Sequence, residues 1–332
     1  MIVQQTSAAN FNAMLVAVRD FLAGNGWTVV SDTISGSSTL IIQNSTGHKY
    51  RLRGTTTART DFFTGAFTDT TLNCEFDRGN TGGTPGTYQT TPGDCNDMTG
   101  PFPSLWLFTD EAATFCHIVA QSAPVRYSHA SFGEIDNKGL HDAHIDYAAG
   151  SFWVYWATQE NISNSNNDGN PFNNPQSNSH QVDHIDGGIW LGIPDGVLDP
   201  SLFFTDGHVI NQPWRLNDRE YGKSTGVNNT ALWADYFCNV TNKTFTGGII
   251  LTPLPMAANP ASQDVMAIVG EIPQMALVNM QGLSPGQTLV FADDEWLVFP
   301  IKQFGTQEAA KFGSNPQREP NSWRYGFAYR SN

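Results

Sequence analysis

The sequence predicts a mainly β protein, with α+β character only at its N-terminus. Three observations carry that expectation. Helical periodicity of useful length occurs once, between Ser7 and Gly26. Short runs of β-branched and aromatic residues follow it, punctuated by Gly, Ser, Asn and Pro. Long stretches rich in Asn, Thr and Gly connect the later runs.

The opening segment "SAANFNAMLVAVRDFLAGNGW" places Phe11, Met14, Leu15, Val18, Phe21 and Leu22 on one helical face. Ser7 is the expected N-cap, and Gly24 to Gly26 the stop. The runs "WTVVSDT", "STLIIQN" and "HKYRLRG" then read as three antiparallel strands. The first unit is therefore residues 1–54, one amphipathic helix on a small three-stranded meander. Residues 55–332 form a β-rich body with long loops, in which "SLWLF", "SFWVYWA", "GGIWLGI" and "GGIILTPL" are strands. "DEAATFCHIVA" fits either a short helix or a strand, and "TQEAAKFG" a short helix. Near the C-terminus "TLVFADDEWLVFPIKQFG" is a hairpin turning at Ala292 to Glu295. "SWRYGFAYRSN" is the final strand, with Trp323, Tyr325, Phe327 and Tyr329 on one face as a packing surface.

Charge and composition narrow the partners. Seventeen Lys and Arg stand against 31 Asp and Glu, a net charge of −14. A phosphate backbone or an anionic bilayer would be repelled, so nucleic acid is not an expected partner. The start "MIVQQTSAANF" has no basic stretch ahead of an apolar one, and no run approaches the roughly 18 apolar residues of a membrane span. Neither secretion by a signal peptide nor membrane insertion is expected. Only 14% of residues are charged, well under the roughly 25% of ordinary soluble domains. A polar surface built on Asn, Thr, Ser and Gln suits uncharged protein–protein contact and points to an assembled protein. The cysteines Cys74, Cys95, Cys116 and Cys238 lack C-x-x-C spacing, which argues for buried thiols over a zinc ribbon. Cys74 and Cys95 are the one pair placed for a bridge.

Two windows concentrate metal-type chemistry. "LHDAHIDYAAG" and "SHQVDHIDGG" hold His141, His144, His180 and His184 together with Asp142, Asp146, Asp183 and Asp186. A metal site needs three or four such side chains converging on one point. Each window leads into a strand-like run, and on a strand an offset of four keeps side chains on one face whereas an offset of three does not. The preferred reading is turn and cap hydrogen bonding before two strands. The alternative is a structural ion held by His141, His144, His180, His184 and Asp186, with neighbouring strands bringing His184 near His144 and Asp186 near Asp146. No catalysis and no other cofactor is expected there.

Other motifs carry less. "NSNNDG" imitates a calcium loop at Asn164, Asn166, Asp168 and Gly169, but Pro175 stands where a bidentate Glu belongs. Asp293, Asp294 and Glu295 read as solvated hairpin charges. No G-x-S-x-G, P-loop or dinucleotide fingerprint is present, so no enzymatic reading has an anchor.

Three blocks together, "FLAGNGWTVVSD", "ASFGEIDNKGLHDA" running into "DYAAGSFW", and "EWLVFPIKQFG" with "SWRYGFAYRS", resemble virion structural proteins of tailed bacteriophages, encoded among tail genes. The likeness covers about a third of the chain. It implies a non-enzymatic tail subunit made in the host cytoplasm and located in the virion, at the tip, baseplate or fibre-anchoring region rather than the neck or head–tail connector. The implied partners are copies of itself in a symmetric homo-oligomer, other phage tail proteins and a host surface. The helix "FNAMLVAVRDFL" and the aromatic last strand are the expected contact surfaces. A reading from another class is a metal-dependent hydrolase or carbohydrate-binding module, in which Trp153, Trp156 and Trp190 stack on sugar rings beside the His and Asp windows.

Overall fold

Apolar residues at helical spacing do what the pattern requires. The computed structural model describes residues 1–61, 65–82, 84–88, 93–95, 98–124, 126–137, 144–151, 188–192, 210–211, 249–258, 267–280, 282–300 and 325–332. Strand β1 (Ile2–Ala8) comes first, followed by helix α1 (Phe11–Gly24). The expected face is the buried one: Phe11, Met14, Leu15, Val18, Phe21 and Leu22. Arg19 lies outside and reaches Asp20 and Asp32. Ser7 belongs to β1, so the N-cap is instead Asn10, whose side chain accepts a 2.9 Å hydrogen bond from the Ala13 amide.

The helix packs on a five-stranded antiparallel sheet, in the order β2 (Thr28–Asp32), β3 (Thr39–Gln43), β4 (Lys49–Asp61), β5 (Gly65–Phe76) and β6 (Gly93–Cys95). A single helical turn, α2 (Ile34–Ser37), joins its first two strands. The predicted meander is therefore β2 to β4, and the sheet continues past residue 54 into β5 and β6. Gly54 is the point of closest approach, where an added Cβ would lie 2.3 Å from the Phe11 ring. Cys74 sits opposite Gly93 and Cys95 opposite Leu72, two positions out of step, and both remain buried thiols, as does Cys116. Cys238 lies outside the described residues.

The middle layer is a seven-stranded antiparallel sheet. Its order is β1, then β7 (Phe102–Thr109), β8 (Phe115–Ala123), β9 (Arg126–Glu134), β11 (Asp146–Gly150), β12 (Gly188–Gly192) and β13 (Ile210–Asn211), while β10 (Asp136–Asn137) leaves to pair in the third sheet. "DEAATFCHIVA" is thus a turn leading into a strand. Strands β7, β8, β9 and β11 are buried on both faces, and their alternate residues divide between two cores. Leu105, Leu107, Cys116, Ile118, Ala130, Phe132 and Ala148 meet α1 and the five-stranded sheet. Trp106, Phe108, Phe115, Val119, Tyr127 and Tyr147 meet the third layer.

That third layer runs β10, β15 (Ala267–Asn279), β18 (Tyr325–Arg330), β17 (Asp294–Pro300) and β16 (Gln287–Phe291), with β14 (Thr252–Ala258) also paired to β15. β16 and β17 form the expected hairpin, turning at Ala292 with φ +54°. Phe327 and Tyr329 of the last strand are buried against the middle sheet. The two surfaces expected to meet partners, the apolar helix face and the aromatic last strand, are therefore interior. Each has a complementary sheet to cover it, and burying that area inside the fold is the lower free energy. No helix among the described residues is long and apolar enough to cross a membrane.

Candidate functional site

Among the described residues, the most concentrated polar chemistry lies where β9 ends and β11 begins. These strands are antiparallel neighbours, and Asp146 stands directly opposite Glu134. Alternation puts both carboxylates on the face turned toward the five-stranded sheet, in line with Phe132 and Ala148. Gly133, at φ +140°, allows the approach to β8 just before Glu134, because a Cβ there would come within 2.4 Å of the Phe115 Cα. Like charges facing one another across a ladder are destabilising unless each finds partners. Both do.

The Asp146 side chain, 0% exposed, accepts from Tyr50 at 2.5 Å, from His48 Nδ1 at 2.9 Å and from Asn80 Nδ2 at 2.9 Å. Glu134 accepts from Asn44 Nδ2 at 2.6 Å, from the Thr46 hydroxyl and from His144 Nδ1. Donors on Asn44, Thr46 and His48 come from the turn between β3 and β4, which Asn44 organises by accepting from the His48 amide at 2.8 Å. Tyr50 and Asn80 come from β4 and the 3₁₀ turn at Arg78–Thr81. The outer and middle sheets are thus joined through two carboxylates. Burial lowers the His48 pKa, but the Asp146 hydrogen bond and the charges of Asp146 and Glu134 outweigh it and hold the ring above its ordinary value. Burial and Asp146 push the Tyr50 hydroxyl well up, so it stays a donor. The His48 and His144 rings meet edge to face, 5.8 Å between centres.

A second set of histidines sits between the middle and third sheets. His117 Nε2 donates to the Pro273 carbonyl at 2.8 Å, while its Nδ1 accepts from Ser131 at 2.6 Å. Ser131 in turn is 2.7 Å from the Tyr147 hydroxyl. His129 Nε2 donates to the Pro300 carbonyl at 2.9 Å, and its Nδ1 accepts from Tyr329 at 2.7 Å. Burial forces His117 down to about 3 and His129 to about 4. The Ser131–His117 contact has the distance of a nucleophile and its base. Both residues are fully buried, and through the Pro273 carbonyl the pair fastens the middle sheet to the third layer.

Of the predicted site residues, His144 takes Glu134 as its partner, and its neighbour Asp146 takes His48, Tyr50 and Asn80. His141, His180, His184 and Asp186 lie outside the described residues. β11 and β12 run antiparallel, with Asp146 opposite Gly192 and Gly150 opposite Gly188, so the two strand entrances are at opposite ends of their ladder. Among the described residues no three His, Cys, Asp or Glu side chains converge as metal ligands. His48, Glu134 and Tyr50 escaped the sequence reading. Their signal is a His and a Tyr two apart at a strand start, which shares one face with the core. Comparison of the chain with protein-family models gives no match, and comparison with curated proteins gives none.

Proposed function

We propose that this chain is a structural subunit of a bacteriophage tail, at the tip, baseplate or fibre-anchoring region, working by symmetric assembly with its own copies and with other tail proteins. The observation that carries the assembly half of this reading is the state of two sheet ends. β2 closes one end of the five-stranded sheet and exposes Val29 and Val30, at 36% and 45%. β16 closes one end of the third sheet and exposes Val290, at 66%. Monomeric proteins usually blunt such strands with charge, because unpaired backbone groups beside apolar side chains invite another chain. The tail half rests on the resemblance of the three sequence blocks, and the low charged fraction agrees with both.

Multi-angle light scattering on the full chain, together with immunogold labelling of purified virions, tests the reading. Oligomers that dissociate when Val30 and Val290 are changed to Lys, with label on the tail, are the expected result. A monomer at tens of micromolar, or one that buries less than about 1,000 Å² against any neighbour in the particle, would refute it.

A further inference from the structure

We propose that β16 pairs antiparallel with β16 of a second copy across a two-fold axis at Leu289, so that the third layers of two chains become one continuous sheet. This pairing rests on the assembly reading above and gives it a partner, an edge and a register. Three observations converge on it. The first is the state of the edge. Among the described residues β16 has a strand neighbour, β17, on one side only. Its ladder with β17 runs unbroken from Gln287↔Val298 to Phe291↔Asp294, and "QTLVF" holds no proline and no charged side chain. Bulges, prolines and charges are the devices that close an edge to other chains. β2, the other end strand with exposed valines, has two of them: its register shifts between Val29 and Ser31, and it ends in Asp32. An open edge such as that of β16 is complementary to its own copy, because antiparallel pairing across a two-fold matches each donor with the equivalent acceptor.

The second observation is the pattern along the strand. Full overlap of this five-residue strand with its antiparallel copy has one register: Leu289 opposite Leu289, Thr288 opposite Val290, and Gln287 opposite Phe291. Leu289 is buried in the outer apolar cluster of the third sheet with Val298 and Ala328, and Phe291 and Trp296 pack beside it, half-buried. That register carries the cluster across the seam, Leu289 against Leu289. On the other face Val290, 66% exposed, meets the exposed, β-branched Thr288 of the second copy. The third observation is charge. Each chain has a net charge of −14, so copies repel unless they meet where charge is absent. Residues 272–292 hold no charged side chain, and Asp293, Asp294 and Glu295 follow at once. A parallel pair of β16 strands would set two acidic turns side by side. The antiparallel pair sets each turn beside the uncharged Ser284, Pro285 and Gly286 of the other copy. A basic partner would seek the acidic surface instead of this uncharged strand, which leaves a second copy as the occupant.

The test uses full chains carrying Thr288→Cys or Val290→Cys, both at exposed positions, co-expressed with distinguishable tags and oxidised with copper–phenanthroline. Directly opposite residues have Cα atoms about 4.5–5.5 Å apart, within reach of a disulfide, whereas like positions lie on the diagonal, roughly 7–8 Å apart and too far to bridge. A covalent dimer joining one chain of each kind is the expected product, and either variant alone should give none. The unmodified chain, oxidised alongside, shows any contribution from Cys238. Val290→Lys places its ammonium opposite Glu295 of its own chain, so the circular dichroism should be kept while the dimer is lost from light scattering. Dimers that cross-link through Thr288→Cys alone would mean a parallel seam and overturn the proposal. So would oligomers that persist in Val290→Lys or form no mixed disulfide, a result that leaves assembly through another surface standing. A monomeric parent would refute this pairing and the assembly reading together.

Discussion

Lowering the pH should unfasten the middle sheet from the third layer, and the effect can be worked out from His117 and His129. Their folded values, about 3 and about 4, lie below the 6.5 of an exposed imidazole. Between those limits the unfolded chain binds protons that the native chain refuses. The stability these residues allow is therefore complete above pH 6.5 and falls as the pH drops toward the folded values. Each histidine contributes about 1.4 kcal/mol per pH unit over that interval. At pH 4.5 the two together cost about 5 kcal/mol, comparable with the total stability of many domains, roughly 5–15 kcal/mol.

The perturbation that isolates this effect is His129→Gln, which keeps a donor for the Pro300 carbonyl and removes the ionisable ring. Urea midpoints followed by tryptophan fluorescence should be collected from pH 7 to pH 4.5 for parent and variant. The variant starts lower, by about 1–3 kcal/mol, because Tyr329 loses its acceptor. It should then lose less as the pH falls, its slope shallower by about 1.4 kcal/mol per unit. Parallel curves would refute the assignment of a neutral buried imidazole to His129. A steeper variant would mean that protonation of that ring stabilises the fold.

Other expectations follow from burial and close contact. Leu15→Ala, at a fully buried position of α1, should cost about 2–5 kcal/mol in chemical denaturation. Gly54→Ala drives a methyl group into the Phe11 ring and should cost about 1–3 kcal/mol, with part of the loss recovered when Phe11 is also changed to Leu. Asp146→Ala strands Tyr50, His48 and Asn80 without their acceptor and should lower stability by about 3–5 kcal/mol, read as a fall in the urea midpoint.

The helix and strands β3 and β4 were legible because each presents one buried face, so their periods of 3.6 and 2 appear directly in the residues. The rest of the fold was harder for the same reason inverted. A strand such as "FCHIVA" is buried on both sides, so alternation vanishes and its polar member, His117, looks out of place. β1, mostly polar and only partly buried, reads as the approach to a helix. The site followed a different logic. The His-Ile-Asp copies drew attention to residues near each other in sequence, whereas Asp146 and His48 are 98 residues apart, joined only by the packing of two sheets. No local spacing encodes that meeting. Glu134 was hidden similarly, since its relation to Asp146 is a register between strands.

The layered arrangement also sets a timetable for folding. β1 pairs with β7 along Ile2↔Thr109, so the chain's first strand has no partner until more than a hundred residues have been made. The histidine fastenings close later still, His117 onto Pro273 and His129 onto Pro300 and Tyr329, separations of 156, 171 and 200 residues. Contacts of such span demand large loop-closure entropy before they return any enthalpy, which makes folding slow and leaves sheet edges open meanwhile. On a ribosome the helix and outer sheet can settle early, while the middle sheet waits with its second face uncovered for the last strand to arrive.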